Sequence, residues 1–293
     1  MVRRSAIICS KHGSTGVRVA ILNLALLFLQ NASTAQDAVP STEDPRSGPT
    51  TGLIEGQFLF DGNPPAVGLV EIPEGRFLRD GTLIRDPEYA RFRELGIRDQ
   101  TLLVNEDRGI RNVIVWISDK KIPAPEEWPE NAEPPRPVVR FENGMFVPHV
   151  QAWWAKHSSI QVENPSVDMI NVRWHATSPG SSEFNLAVLK NQPGVTGPVS
   201  ATRMPSRLVS DVYNWVQPAI IFPCRHPWVA VTDEEGKFRI EHIPTGEWEF
   251  TFWHERCGLI KTSDWPTGRT TLKVSPESTP HTFRLHPDFA KQN

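Results

Sequence analysis

The chain has 293 residues, 39% of them hydrophobic and 22% charged, which is enough apolar material for a buried core and excludes outright disorder. A formal charge of −3 gives no concentrated basic face, so a nucleic-acid partner is not expected. The 27 prolines argue against long helices, and ten Trp beside two Tyr point to packed aromatic surfaces.

Residues 1–35 read as an export signal. Arg3, Arg4, Lys11 and Arg18 precede the apolar run Val19–Leu29, and Ser33 and Ala35 are small residues placed for cleavage. The run falls short of the roughly 20 residues that cross a bilayer, and no later segment approaches that length. The mature protein is therefore expected to be exported, periplasmic or extracellular, with no membrane span. Taking those four basic residues from 31 leaves 27 Lys+Arg against 34 Asp+Glu, or −7, which disfavours a polyanionic partner. Cys9 lies in the signal, so Cys224 and Cys257 remain as the pair in an oxidising compartment, and a disulfide between them is expected.

Residues 36–51 have the polar, Pro-rich composition of a flexible linker. An N-terminal strand-rich segment, 52–137, follows. Leu53–Phe60 reads as a strand entering the turn Asp61–Pro65. Asp86 as N-cap, Pro87 at the first helical position and Gly96 at the close predict one short helix. Asn112–Ser118 is a compact β-branched and aromatic run, and 122–137 is an irregular Pro-rich excursion. From Val138 to residue 285 short strands alternate with turns: Val138–Phe141, Ser159–Glu163, Asn171–His175, Pro218–Phe222, Val229–Thr232, Lys237–Ile240 and Trp248–Trp253. This spacing predicts an all-β sandwich. Thr232–Gly236 is read as a hairpin turn with Gly236 at a positive φ, its acidic side chains solvated, and 286–293 as a tail.

Phe141-Glu-Asn-Gly-Met-Phe-Val-Pro-His-Val150, then Ile160–Asn164 and Asp168–Val172, resemble bacterial secreted cupredoxin-like proteins of the methylamine-utilisation type. Gly56–Pro65 and Arg111–Trp116 fit the same pattern. Val231–Ile240 and Ile243–Glu255, within the block 226–255, resemble the block that ends such proteins and recurs in carboxypeptidase-regulatory-like and carbohydrate-binding-like β-modules. The resemblance covers roughly residues 52–285 and implies a cupredoxin-like Greek-key sandwich with a blue-copper centre of two His, a Cys thiolate and a weak axial Met. Laid on this chain, those ligand positions fall on Ile170, Ser210, Tyr213 and Val216, so the copper site implied by the resemblance is degenerate and no cofactor is expected.

A competing register places copper on Cys224 and His226 of Cys224-Arg-His-Pro-Trp-Val229, and a wider set adds His254 and Cys257 with ligand types that zinc or copper favours. The register without copper keeps the strand order intact. His149 and His175 stand alone in sequence. No nucleophile elbow, phosphate loop or Ser/Cys–His–carboxylate motif appears, so catalysis is not expected. Trp153, Trp154, Trp174, Trp215 and Trp228 are candidates for stacking on sugar rings or a protein partner. The sequence thus points to an exported, non-catalytic binding or structural module, with copper electron transfer at Cys224 and His226 as the alternative and carbohydrate binding as a third reading.

Overall fold

The computed structural model describes residues 50–123, 125, 136–156, 159–174, 183–277 and 279–291. The signal, all but the last two residues of the linker, most of the Pro-rich excursion and His175 lie outside the described residues.

In chain order the elements are β1 (Thr51–Phe60), β2 (Gly75–Phe77), β3 (Leu83–Arg85), α1 (Pro87–Leu95), β4 (Ile114–Ile117), β5 (Val138–Glu142), β6 (Met145–Val147), β7 (Val150–Trp154), β8 (Gln161–Glu163) and β9 (Met169–Trp174). There follow β10 (Phe184–Leu189), β11 (Gly194–Val195), β12 (Ser206–Val209), β13 (Ala219–Cys224), β14 (Val229–Val231), β15 (Lys237–Pro244), β16 (Gly246–His254), β17 (Gly258–Leu259), β18 (Arg269–Val274) and β19 (His281–Leu285). Among the described residues the fold is all-β with one short α-helix, as the turn spacing predicts.

Beyond the β2–β3 hairpin the strands of the described residues form four sheets. Sheet I runs β11-β8-β5-β6, sheet II β10-β9-β12-β13-β7, sheet III β14-β4-β16-β17 with β18 beside β16, and sheet IV β15-β1-β19. Side-chain alternation stacks them in that order, because successive residues of a strand face opposite ways. Phe141 and Val162 of sheet I share a core with Ile170, Val172, Trp174 and Ile221 of sheet II. Ile220, Phe222 and Cys224, on the other face of β13, share a second core with Ile114 and Trp116 of sheet III. Val115, Ile117, Phe250 and Phe252, on the far face of sheet III, join Ile54, Phe58, Phe238 and Leu285 of sheet IV in a third. Strands β4 and β13 are buried at every position because each lies in a middle layer, and for that reason each reads as an unbroken apolar run.

The division of the chain is therefore not the one drawn at 137/138. Residues 138–224 alone build sheets I and II, with the chain shuttling between them as Greek-key sandwiches do. The N-terminal segment and the block 226–255 belong together: β1 pairs antiparallel with β15 and parallel with β19, and β4 pairs with β14 and β16. The expected hairpin at 232–236 is likewise a crossover. Gly236 does take φ 76°, and Asp233 Oδ1 accepts from Glu235 N and Lys237 N at 3.0 and 2.8 Å, but the turn carries the chain from sheet III to sheet IV. The linker ends one residue early, since Thr51 already pairs with Pro244. The tail also packs, with Phe289 buried in a 3-10 turn, Pro287–Lys291, against the third core.

Helix α1 forms as its capping residues dictate. Asp86 Oδ1 accepts from Glu88 N at 2.9 Å and Gly96 closes the helix at φ 59°. Its buried face, Tyr89 and Phe92, seals one end of the I/II sandwich.

Candidate functional site

The end of the sandwich covered by α1 holds the loop 210–218 between β12 and β13, and it brings together all four positions at which the resemblance implies metal ligands. Ile170 on β9, Tyr213 and Val216 are buried in one core, and Ser210 beside them is 5% exposed. Asn171 fastens the loop to β9: its Oδ1 accepts from Asp211 N at 2.8 Å, Val212 N at 2.9 Å and Ser210 Oγ at 3.2 Å. Ser210 Oγ in turn accepts from Tyr213 N at 3.1 Å, and Arg173 holds Asp211 through a fork at 2.6 to 3.0 Å.

Aromatic packing fills what remains. Tyr213 stacks on Phe141 with centroids 5.9 Å apart and lies edge-on to Phe92 at 6.0 Å, while the Tyr89 hydroxyl donates to the Val212 carbonyl at 3.2 Å. Burial, reinforced by the charges of Asp86 and Glu88, pushes the Tyr213 phenol up to about 12, so it stays protonated. Two aliphatic side chains, a neutral phenol and a hydroxyl already engaged offer no soft or anionic donor. A blue-copper ion does not fit here.

The second constellation is divided. Cys224 faces the core between sheets II and III, with Sγ 3.5 Å from His226 Nδ1, whose Nε2 lies 2.8 Å from the Ile117 carbonyl oxygen. Burial raises the Cys224 thiol to about 12 and lowers His226 to about 4. Cys257 packs instead against the core between sheets III and IV, its thiol near the His254 carbonyl at 3.8 Å. The expected disulfide is therefore not formed: both cysteines are free, and a middle sheet stands between the faces they occupy. His254 is fully buried with its ring edge-on to Phe289 at 5.7 Å, and no group of three or more His, Cys, Asp or Glu among the described residues is arranged to hold a metal.

None of the tryptophans proposed for stacking is exposed. Trp174 is 0% exposed and donates to Ser206 Oγ at 2.8 Å. Trp154 and Trp228 are buried and donate to the Arg225 and His242 carbonyls at 3.1 and 3.0 Å. Trp153 and Trp215 are half-buried against the I/II core. These rings are packing groups, and a sugar-stacking platform built from them is corrected. Trp174→Ala would cost about 3–5 kcal/mol.

Two features escaped the sequence. His149, isolated in sequence, meets Glu255 at 2.6 Å with side chains 7% and 9% exposed. A polar network runs beside this pair. Arg256 donates to Thr101 Oγ1 at 3.3 Å, and Asp99 Oδ1 accepts from Thr101 N and Gln217 Nε2 at 2.8 and 2.7 Å, which ties the loop 210–218 to sheet III. Apart from the local Asp99–Thr101 contact the pairings span 106 to 155 residues, so no local signal marks them. The second feature, a cation-rimmed cavity, likewise assembles only when sheets II and III meet.

No protein-family profile and no curated protein sequence matches the chain. Among solved structures, it aligns with the Cu-containing nitrite reductase (NirK) from Thermus scotoductus SA-01 at 11% identity and a TM-score of 0.26, over 31% of this chain and 23% of that one. It also aligns with a mutant of amicyanin, Cu(I), at 10% identity and a TM-score of 0.13, over 55% of this chain and 98% of that one. The chain thus spans about a quarter of the nitrite reductase it matches. Neither alignment reaches a TM-score at which it bears on the chemistry of this site.

Proposed function

We propose that the chain is an exported, non-catalytic binding or structural module, a cupredoxin-type sandwich whose metal end is closed by packing. The carrying observation is the sealed loop: Ile170, Tyr213 and Val216 sit in one core and the Ser210 hydroxyl is held by Asn171 and the Tyr213 amide. Function sits in sites grafted on folds, and side chains that cannot ligate leave the scaffold free for other use.

A copper titration of the protein purified without reductant tests the reading. The expected result is a flat trace. An intense thiolate-to-copper absorption would overturn it, and its loss in Cys224→Ser would identify the second reading, electron transfer through Cys224 and His226. That reading is favoured by one observation, the 3.5 Å separation of Cys224 Sγ and His226 Nδ1.

A further inference from the structure

Between sheets II and III a cavity of about 460 Å³ opens next to Cys224 and His226. Its floor is apolar. The rings of Trp116 and Phe222 meet with centroids 4.8 Å apart at 58°, and Met204 and Leu259 pack beside them.

Its rim is cationic: Lys120, Arg203, Arg225 and Arg269 line the opening, and among the described residues no Asp or Glu does. Arg269 shares Glu249 at 3.3 Å, and that carboxylate also accepts from Ser118 Oγ at 2.9 Å. Arg225 is held differently, by donation to the backbone carbonyl of Asp119, which fixes the guanidinium without neutralising it. The wall carries one further unmet group. Thr251 is 2% exposed and its hydroxyl has no hydrogen-bond partner among the described residues.

An apolar floor with a few convergent polar groups, in this volume range, is the general form of a small-molecule site. We infer that the cavity binds a small amphipathic organic anion, a carboxylate on a ring-sized apolar body, with its head between Arg225 and Lys120 and its body on Trp116 and Phe222. Charge alone does not complete the match: a bare inorganic anion leaves the apolar floor uncovered, and a neutral apolar body leaves Arg225 and Lys120 without an anion. Because the walls come from sheets II and III, the bound anion also clamps the two layers. The inference rests on the binding-module reading and names its ligand class.

The test is isothermal titration of the full protein with 2-naphthoate, with 2-naphthalenemethanol as the neutral analogue and acetate as the head alone. One site with a Kd of roughly 10–1,000 µM is expected for naphthoate, as its size allows, and binding at least about tenfold weaker for both controls. Lys120→Gln and Arg225→Gln should each weaken naphthoate about five- to tenfold, and Met204→Trp should block it by filling the floor. Thermal melts of each variant confirm folding, and Arg225→Lys, which keeps the charge, should retain most of the affinity. No heat with naphthoate, or equal affinity in wild type, Lys120→Gln and Arg225→Gln, overturns the site. If copper titration is also flat, the binding-module reading survives that failure with its ligand elsewhere.

Discussion

His149 Nε2 lies 2.6 Å from Glu255 Oε1, and the pair joins the start of β7 in sheet II to the turn that ends β16 in sheet III. It is a buried polar bridge between two layers otherwise held by the apolar core of Ile114, Trp116, Ile220 and Phe222. Removing one partner strands the other in a dry junction, which costs about 3–5 kcal/mol, whereas replacing both by apolar residues of similar size costs far less. Urea unfolding of Glu255→Leu, His149→Leu and the double variant should therefore show a coupling energy above about 1 kcal/mol. Strictly additive losses would mean that the contact contributes nothing of its own.

The thiols give a second prediction. Burial lifts both Cys224 and Cys257 to about 12, so the thiolate, the reactive form, is scarce at pH 8. An aromatic disulfide reagent should label both at rates at least about a hundredfold below a free cysteine, and both should react promptly once the protein is unfolded without reductant. A protein in which neither residue reacts after unfolding would carry the bond that the compartment, but not the packing, favours.

Gly144 supports a third. It stands at φ 79° after Asn143 at φ 50°, the two-residue turn between β5 and β6, and a Cβ there would come within 2.4 Å of Ile97 Cδ1 and 3.0 Å of the Trp215 ring. Gly144→Ala combines backbone strain with a clash against the plug beneath α1, and should lower stability by about 1–3 kcal/mol. The size of the loss reads how firmly that end of the sandwich is packed. An unchanged denaturation midpoint would show the aromatic plug to be loose.

What could be read from the chain, and what could not, divides by range. Asp86, Pro87 and Gly96 mark α1 because capping is a contact within three residues. The apolar runs of β4 and β13 announce strands, yet the same residues are silent about which sheet covers each face, and so Cys224 and Cys257 look pairable in sequence. Strands β18 and β19, with their alternating exposed positions, carry too few apolar residues to stand out. Ile170, Tyr213 and Val216 share one core with Ser210 buried beside them, a packing that no local pattern in the chain encodes. The His149–Glu255 pair and the cavity rim needed the layers to be stacked, because their members meet only across sheets.

Acid sensitivity follows from two buried imidazoles, those of His226 and His254. Burial lowers His226 from 6.5 to about 4, with the Arg225 charge adding to it, and does the same to His254, where Arg256 and His149 contribute. Each ring is therefore neutral in the folded protein at pH 5, while the unfolded chain has already bound the proton. The unfolded state gains protons first as pH falls, so stability is flat above about 6.5, declines between 6.5 and 4, and loses nothing more from these groups below 4. A shift of this size corresponds to about 3 kcal/mol per histidine. In urea titrations across that window, His254→Phe should lower the slope of stability against pH by about one proton, whatever its effect on the midpoint at pH 7. His226→Gln should do the same independently, since the two rings lie in different parts of the packing. A slope unchanged in both variants would show that the rings accept protons in place, and that water reaches a core the packing closes to it.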